Sequence, residues 1–228
     1  MRRGSTSSPK GQEARQRADR IDVLVNNAGN LGNEPQTSAD GLEMHFAVNV
    51  LAPWRLTRAL LPALQAADNA RVLNVTGGDK PAAIDVDNLE AEKGFRGLTT
   101  YQHSKSVLES MSMALAEALQ PSGVLVNVVF PGRASTARTG SMSLSALPGV
   151  MKLMYPFFRL LFAEDGGKSA ANAARSTIWG ATTADLDGVS GRYYDTDVNE
   201  QKLHPTAYDP ATQSAILDRI QATEASHA

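Results

Sequence analysis

Ile21-Asp22-Val23-Leu24-Val25-Asn26-Asn27-Ala28-Gly29 is the stretch that decides the fold. Its apolar run ends in amide and small residues, which reads as a buried parallel strand opening into a loop. Two further stretches share this grammar: Arg71-Val72-Leu73-Asn74-Val75-Thr76-Gly77-Gly78 and Val124-Leu125-Val126-Asn127-Val128-Val129-Phe130-Pro131-Gly132. Strands of this kind alternating with helical patterns predict an α/β domain built on a doubly wound parallel sheet. In such sheets the ligand crevice lies beyond the carboxyl ends of the strands, so the three endings are expected to face one site.

The coarse reading places strands at 21–26, 71–76 and 124–130, with a short strand around 191–194. Helices are predicted near 39–67, 98–120, 167–181 and 209–224. Pro53 and Pro62 should bend or divide the first helix because each removes an amide donor, and Asp40 or Ser38 is placed to cap it. Residues 1–20 read as a polar arm and 21–228 as a single domain. The connection at about 133–166 carries the most aromatic segment of the chain. Long connections are often lids or binding loops, and a substrate loop is the reading preferred. A packed or dimer-contact helix is the bland alternative, and a membrane-surface role through Lys152 and Arg159 a third.

Tyr101 and Lys105 open a long helical pattern and lie four residues apart, hence on one face. A neighbouring cation favours the phenolate, so a tyrosine in such a pair is a credible proton-transfer group. An exposed helical pair is the bland reading of the same spacing.

In company, these motifs resemble the short-chain dehydrogenases/reductases. The matching residues are Asn26-Asn27-Ala28-Gly29, Asn49 within Phe46-Ala47-Val48-Asn49-Val50, Tyr101-x-x-Ser104-Lys105, and Pro131-Gly132-x-x-x-Thr136. Asp87-Asn88-Leu89, Glu92-Lys93 and Gly188 to Tyr194 look more like the retinol-dehydrogenase-like branch. The resemblance implies a Rossmann-like fold, NAD or NADP as cofactor, and a small-molecule alcohol or carbonyl of apolar character as substrate. It implies Tyr101 as general acid or base, with Lys105 lowering its pKa and bonding the nicotinamide ribose. Asn49 would hold a proton-relaying water. Asn27, Ala28 and Gly29 would line the ribose, Pro131 and Gly132 belong to the cofactor loop, and Thr136 would bond the carboxamide. Asn26 is as readily a structural tie between strands. Where the family places two serines this chain has Thr76-Gly77. Glycine cannot orient a carbonyl, whereas the Thr76 hydroxyl could donate that bond, and adjacent strand positions face opposite ways. Thr76 is therefore carried as the fourth catalytic candidate, with Gly77 as the competing equivalent.

The chain also departs from the family. Members begin with a strand and a glycine-rich turn that holds the pyrophosphate, and no such turn precedes Asn26. A βαβ unit takes roughly 30 residues or more, so the chain is expected to be N-terminally incomplete by about 60 residues. A misassigned start, a decaying gene, or a partner chain covering the edge would each account for this. An open apolar edge at 21–25 invites other chains, a homo-oligomer among them. A catalytically silent interaction domain and a cofactor-sensing regulator are the rival functions.

Composition adds exclusions. With 228 residues, 42% hydrophobic and 20% charged, one intracellular domain is expected, and the cytoplasm is its expected compartment. A net charge of -2 gives no footprint for nucleic acid. The chain has no cysteine, no metal-ligand pattern among its four histidines and no apolar run long enough for a membrane span.

Overall fold

The computed structural model describes residues 19–77, 82–132 and 170–226. In chain order these form β1 (Val23–Asn26), α1 (Met44–Phe46), a π-helical turn (Ala47–Leu51), α2 (Ala52–Leu64), β2 (Arg71–Val75), α3 (Gly97–Leu119), β3 (Leu125–Val129), α4 (Ala170–Thr182), β4 (Tyr193–Tyr194), β5 (Glu200–Gln201) and α5 (Pro210–Ser226). The sheet order is β1-β2-β3-β4-β5. Its first four strands run parallel and β5 closes the far edge antiparallel to β4. This is the α/β doubly wound, Rossmann-like arrangement expected. The arm expected over residues 1–20 lies outside the described residues except for Asp19 and Arg20, and the loop expected at about 133–166 lies wholly outside them.

Strands β2 and β3 are buried at every position, which is why they read as unbroken apolar runs. Their side chains alternate between two cores. Val72 and Val126 pack with Val107, Leu108, Met111, Ile216 and Ile220, under α3 and α5. Leu73, Val75 and Val129 pack with Ala181 of α4 on the opposite face. Strand β1 pairs only with β2 among the described residues, and Val25 at that edge is 38% exposed.

The first helical stretch starts later than the expected residue 39. Ser38 and Leu42 close a turn, with the Ser38 amide donating to the Leu42 carbonyl at 2.8 Å. Asp40 instead accepts from Arg55 at 3.3 Å. The cap is Glu43, whose side chain accepts from the Phe46 amide. Pro53 stands at the second position of α2, which continues the π turn without a break, and the widened π turn just before it accommodates the missing amide. Pro62 stands two residues before the helix ends. The antiparallel β5, two exposed residues long, was not anticipated because so short a strand has no periodicity to read.

Buried amides lock the register. Asn26 donates to Asn74 at 2.8 Å, and Asn74 donates to Ser112 of α3 at 2.7 Å. Asn26 thus ties β1 to β2, which is the structural role weighed for it, and Asn74 ties β2 to the helix above it. Asn127 ties β3 to the strand beyond, donating to the Val189 carbonyl at 2.7 Å and accepting from the Arg192 amide at 2.9 Å.

Ile216 and Ile220 on α5 are fully buried against α3. Ile216→Ala is expected to cost about 2–5 kcal/mol, read as a lowered urea midpoint at unchanged slope.

Candidate active site

The site is assembled from the ends of β1 and β2 and the first turns of α3. Asn49, in the π turn, is fully buried and binds three partners. Its Oδ1 accepts from the Asn30 amide at 2.7 Å, and its Nδ2 donates to the Asn30 carbonyl at 3.1 Å and to Ser104 Oγ at 2.8 Å. Ser104 in turn donates to the Tyr101 carbonyl at 2.7 Å. The loop after β1 is thereby fixed to the helix that carries Tyr101 and Lys105.

Lys105 is 3% exposed, and its Nζ donates to the Val75 carbonyl at 3.0 Å. A Cβ on Gly29 would stand 3.4 Å from both Lys105 Nζ and Asn49 Oδ1. The missing side chain lets the β1 loop approach the ammonium. Asn27 and Ala28 are exposed beside it, beyond the carboxyl end of β1. Gly132, after β3, has φ +77°, and a Cβ there would collide with Thr196 Oγ1 at 2.6 Å, so only glycine suits the position. Pro131 is partly buried before it. Thr136 lies outside the described residues.

Tyr101 is brought to the pair, with the Lys105 Nζ 5.9 Å from its ring centroid. The ammonium faces the ring, and burial pushes the Tyr101 hydroxyl above its ordinary value. The lowering expected from Lys105 is not found in this arrangement, because desolvation disfavours the phenolate.

Thr76 and Gly77 separate cleanly. The Thr76 hydroxyl donates to the Glu109 carboxylate at 2.6 Å inside the core, 3% exposed, and is not brought to Tyr101. Gly77 is the neighbour of the tyrosine: a Cβ on it would sit 2.1 Å from the Tyr101 hydroxyl oxygen. The one-residue alternation along a strand sends the threonine inward and the glycine to the site.

Three participants were not signalled by sequence reasoning. His45, 1% exposed, accepts the Gly32 amide on Nε2 at 3.1 Å, so Nδ1 carries the proton it shares with Glu43 Oε1 at 2.6 Å. Its ring lies 6.4 Å from that of Tyr101. Glu109 is the second, a buried carboxyl one turn beyond Lys105. The third is Asn30 Nδ2, buried without a partner among the described residues. His45 and Asn30 have no spacing to announce them, whereas Glu109 stands four residues after Lys105, the same helical spacing that signals Tyr101.

Burial pushes the Lys105 ammonium down to about 8 against the pull of Glu109. Burial likewise pushes the Glu109 carboxyl up to about 7, against the Thr76 hydrogen bond and Lys105.

The donor set suits a nicotinamide dinucleotide at its ribose end. Gly29 leaves a cradle that a Cβ would fill, Lys105 supplies a cation within it, and the orphaned Asn30 amide is a spare donor beside it. Among the described residues no group of three acidic or histidine side chains could hold a metal, and no helix is long and apolar enough to cross a membrane.

The model of the short chain dehydrogenase family matches residues 10–145. Mouse retinol dehydrogenase 13 is 36% identical over 195 residues, covering 84% of this chain and 56% of its own length. Mouse retinol dehydrogenase 14 is 32% identical over 210 residues, covering 91% and 60%. The chain thus spans somewhat over half the length of these curated relatives. Among solved structures, an uncharacterised Mycobacterium paratuberculosis protein aligns with a TM-score of 0.66 at 19% identity, covering 98% of this chain and 74% of its own. The Pseudomonas aeruginosa RhlG/NADP active-site complex aligns with a TM-score of 0.57 at 24% identity, covering 84% and 72%. The chain belongs to the short-chain dehydrogenases/reductases, in their retinol-dehydrogenase-like branch.

Two expectations follow. Between 4.5 and about 7 the folded chain holds a proton on Glu109 that the unfolded chain has released, so stability falls as pH rises through that window, by about 3 kcal/mol. From about 8 to 10.5 the unfolded chain holds the extra proton, on Lys105, and stability recovers. Urea titrations across this range should trace the trough, and Glu109→Gln should remove its acid limb. At the other residue, Gly77→Ala adds only a Cβ and must displace the Tyr101 hydroxyl. Turnover is expected to drop about 10- to 100-fold while unfolding stability changes little.

Proposed function

We propose that this chain interconverts an alcohol and a carbonyl with NAD or NADP, Tyr101 exchanging the proton on the substrate oxygen. One observation carries the reading: Tyr101, Lys105, Asn49 and Gly29 converge where β1 and β2 end, the position at which open α/β sheets take ligands. Family membership supports the cofactor class, and the RhlG/NADP complex is a fold neighbour that holds NADP.

The hydride belongs to the nicotinamide; the protein supplies position and the proton. Lys105 is the group for the ribose hydroxyls, set against Gly29, and Asn27, Ala28, Pro131 and Gly132 border the same crevice. Tyr101 is kept protonated by burial, which loads it for donation to a carbonyl oxygen in the reductive direction. The carboxamide of Asn49 is spent on Asn30 and Ser104, so a water held by this residue would sit on its main-chain carbonyl. The residue four positions on is Pro53, which has no amide to offer that carbonyl. Because the Thr76 hydroxyl is committed to Glu109 and residue 77 is glycine, Tyr101 works without a second side-chain hydroxyl from the end of β2. The names of the relatives support an apolar alcohol of the retinol kind as substrate.

The test is nicotinamide fluorescence titration with NADH and NADPH, followed by turnover of retinal. Tyr101→Phe is expected to retain dinucleotide binding and to lose about 100-fold or more in turnover. Full activity in that variant would remove Tyr101 from the chemistry.

A further inference from the structure

We propose that Glu109 is a positioning residue of this site, a buried carboxylate that holds Lys105 in its charged ammonium form. The inference rests on the reading of Lys105 as the cofactor-side cation.

Lys105 and Glu109 lie four residues apart on α3, both buried, with 3% and 5% exposure. They fasten to consecutive residues at the end of β2: the ammonium donates to the Val75 carbonyl at 3.0 Å, and the carboxylate accepts from the Thr76 hydroxyl at 2.6 Å. The helix and the strand end therefore hold the two groups in one water-poor layer, each on its own partner, where they act on each other as charges and not through a direct ion pair. A neutral carbonyl supports an ammonium only weakly there, and desolvation favours loss of its proton. An opposite charge one turn away counters that loss, and Glu109 is the group that raises Lys105 against burial. The groups coupled to Glu109 itself are Lys105 on its own helix, the Thr76 hydroxyl from β2, and the Tyr193 phenol from β4, which burial and Glu109 push upward. Of these only Lys105 is a cation.

This assigns a purpose to the Thr76 hydrogen bond. A hydroxyl donated to a carboxylate favours its ionised form, so Thr76 keeps Glu109 charged and Glu109 keeps Lys105 charged. A structural filler needs only an acceptor for Thr76. Glutamine provides that acceptor and lacks the charge.

The experiment is a pH titration of the chain carrying lysine labelled with carbon-13 at Cε, the Lys105 resonance being assigned with Lys105→Arg. In the parent chain the midpoint is expected at about 8, with a smaller step near 7 as Glu109 ionises. In Glu109→Gln the step should vanish and the midpoint should fall by roughly one pH unit. An unmoved midpoint in the glutamine variant overturns the proposal. If that variant does not fold, absence of the step near 7 in the parent chain overturns it equally. NADPH titration at each pH supplies the functional arm, in which the alkaline loss of binding should move with the Lys105 midpoint. A parent chain that never binds dinucleotide would defeat the proposed function, while the Lys105 resonance still decides the role of Glu109.

Discussion

The carboxamide of Asn49 is the joint on which the site depends. It engages both backbone groups of Asn30 and the hydroxyl of Ser104, so one side chain spans the loop after β1, the π turn and α3. An amide can do this because it offers a donor pair and an acceptor in one plane. Aspartate would present two acceptors and lose the bonds to the Asn30 carbonyl and to Ser104. The π turn helps set the geometry, since widening the helix just before Pro53 relieves the ring's conflict with the preceding turn. A local irregularity that sequence patterning treats as a flaw is thus where the functional side chain sits.

The second constraint is electrostatic. Two opposite charges buried at the end of β2 are expensive, and neither keeps its ordinary pKa. Apolar residues of similar volume would pack the same layer at lower cost, so stability does not explain the pair. The proposed requirement for a cation at the mouth of the β1 loop does. Thr76, Glu109 and Lys105 form a chain of support running from the strand end to the crevice, where each group maintains the state of the next.

The sheet was legible because β2 and β3 are buried on both faces, and burial on both faces writes an unbroken apolar run. The long helix over Gly97–Leu119 was legible for its length. Boundaries were less so: Asp40 and Ser38 were plausible caps by residue type, yet Ser38 closes a turn with Leu42 and the helix waits for Glu43. Tyr101 and Lys105 are brought together as their spacing suggested, and Asn49 joins them as the resemblance implied. Of the partners that complete their surroundings, His45 and Asn30 were not legible, because they act through contacts between segments far apart in sequence; Glu109 stands at helical spacing from Lys105, and only its burial and its bond to Thr76 were hidden. The tuning of Tyr101 by its lysine was inferred from helical spacing and from the family resemblance; burial, which neither reports, dominates it.

Thr76-Gly77 shows how much a single register step decides. Both residues follow β2, and either could be aligned to a hydroxyl-bearing position by counting. The strand alternation settles their directions: Thr76 enters the core to Glu109, while the Tyr101 hydroxyl occupies the volume a residue-77 side chain would need. With glycine there and Thr76 turned to Glu109, the described end of β2 offers the substrate oxygen no second side-chain hydroxyl. In the proposed reaction the tyrosine would carry the proton alone, in surroundings that favour its protonated form. Such a site is biased toward giving a proton to a carbonyl oxygen over taking one from an alcohol, because the base form must be generated against desolvation.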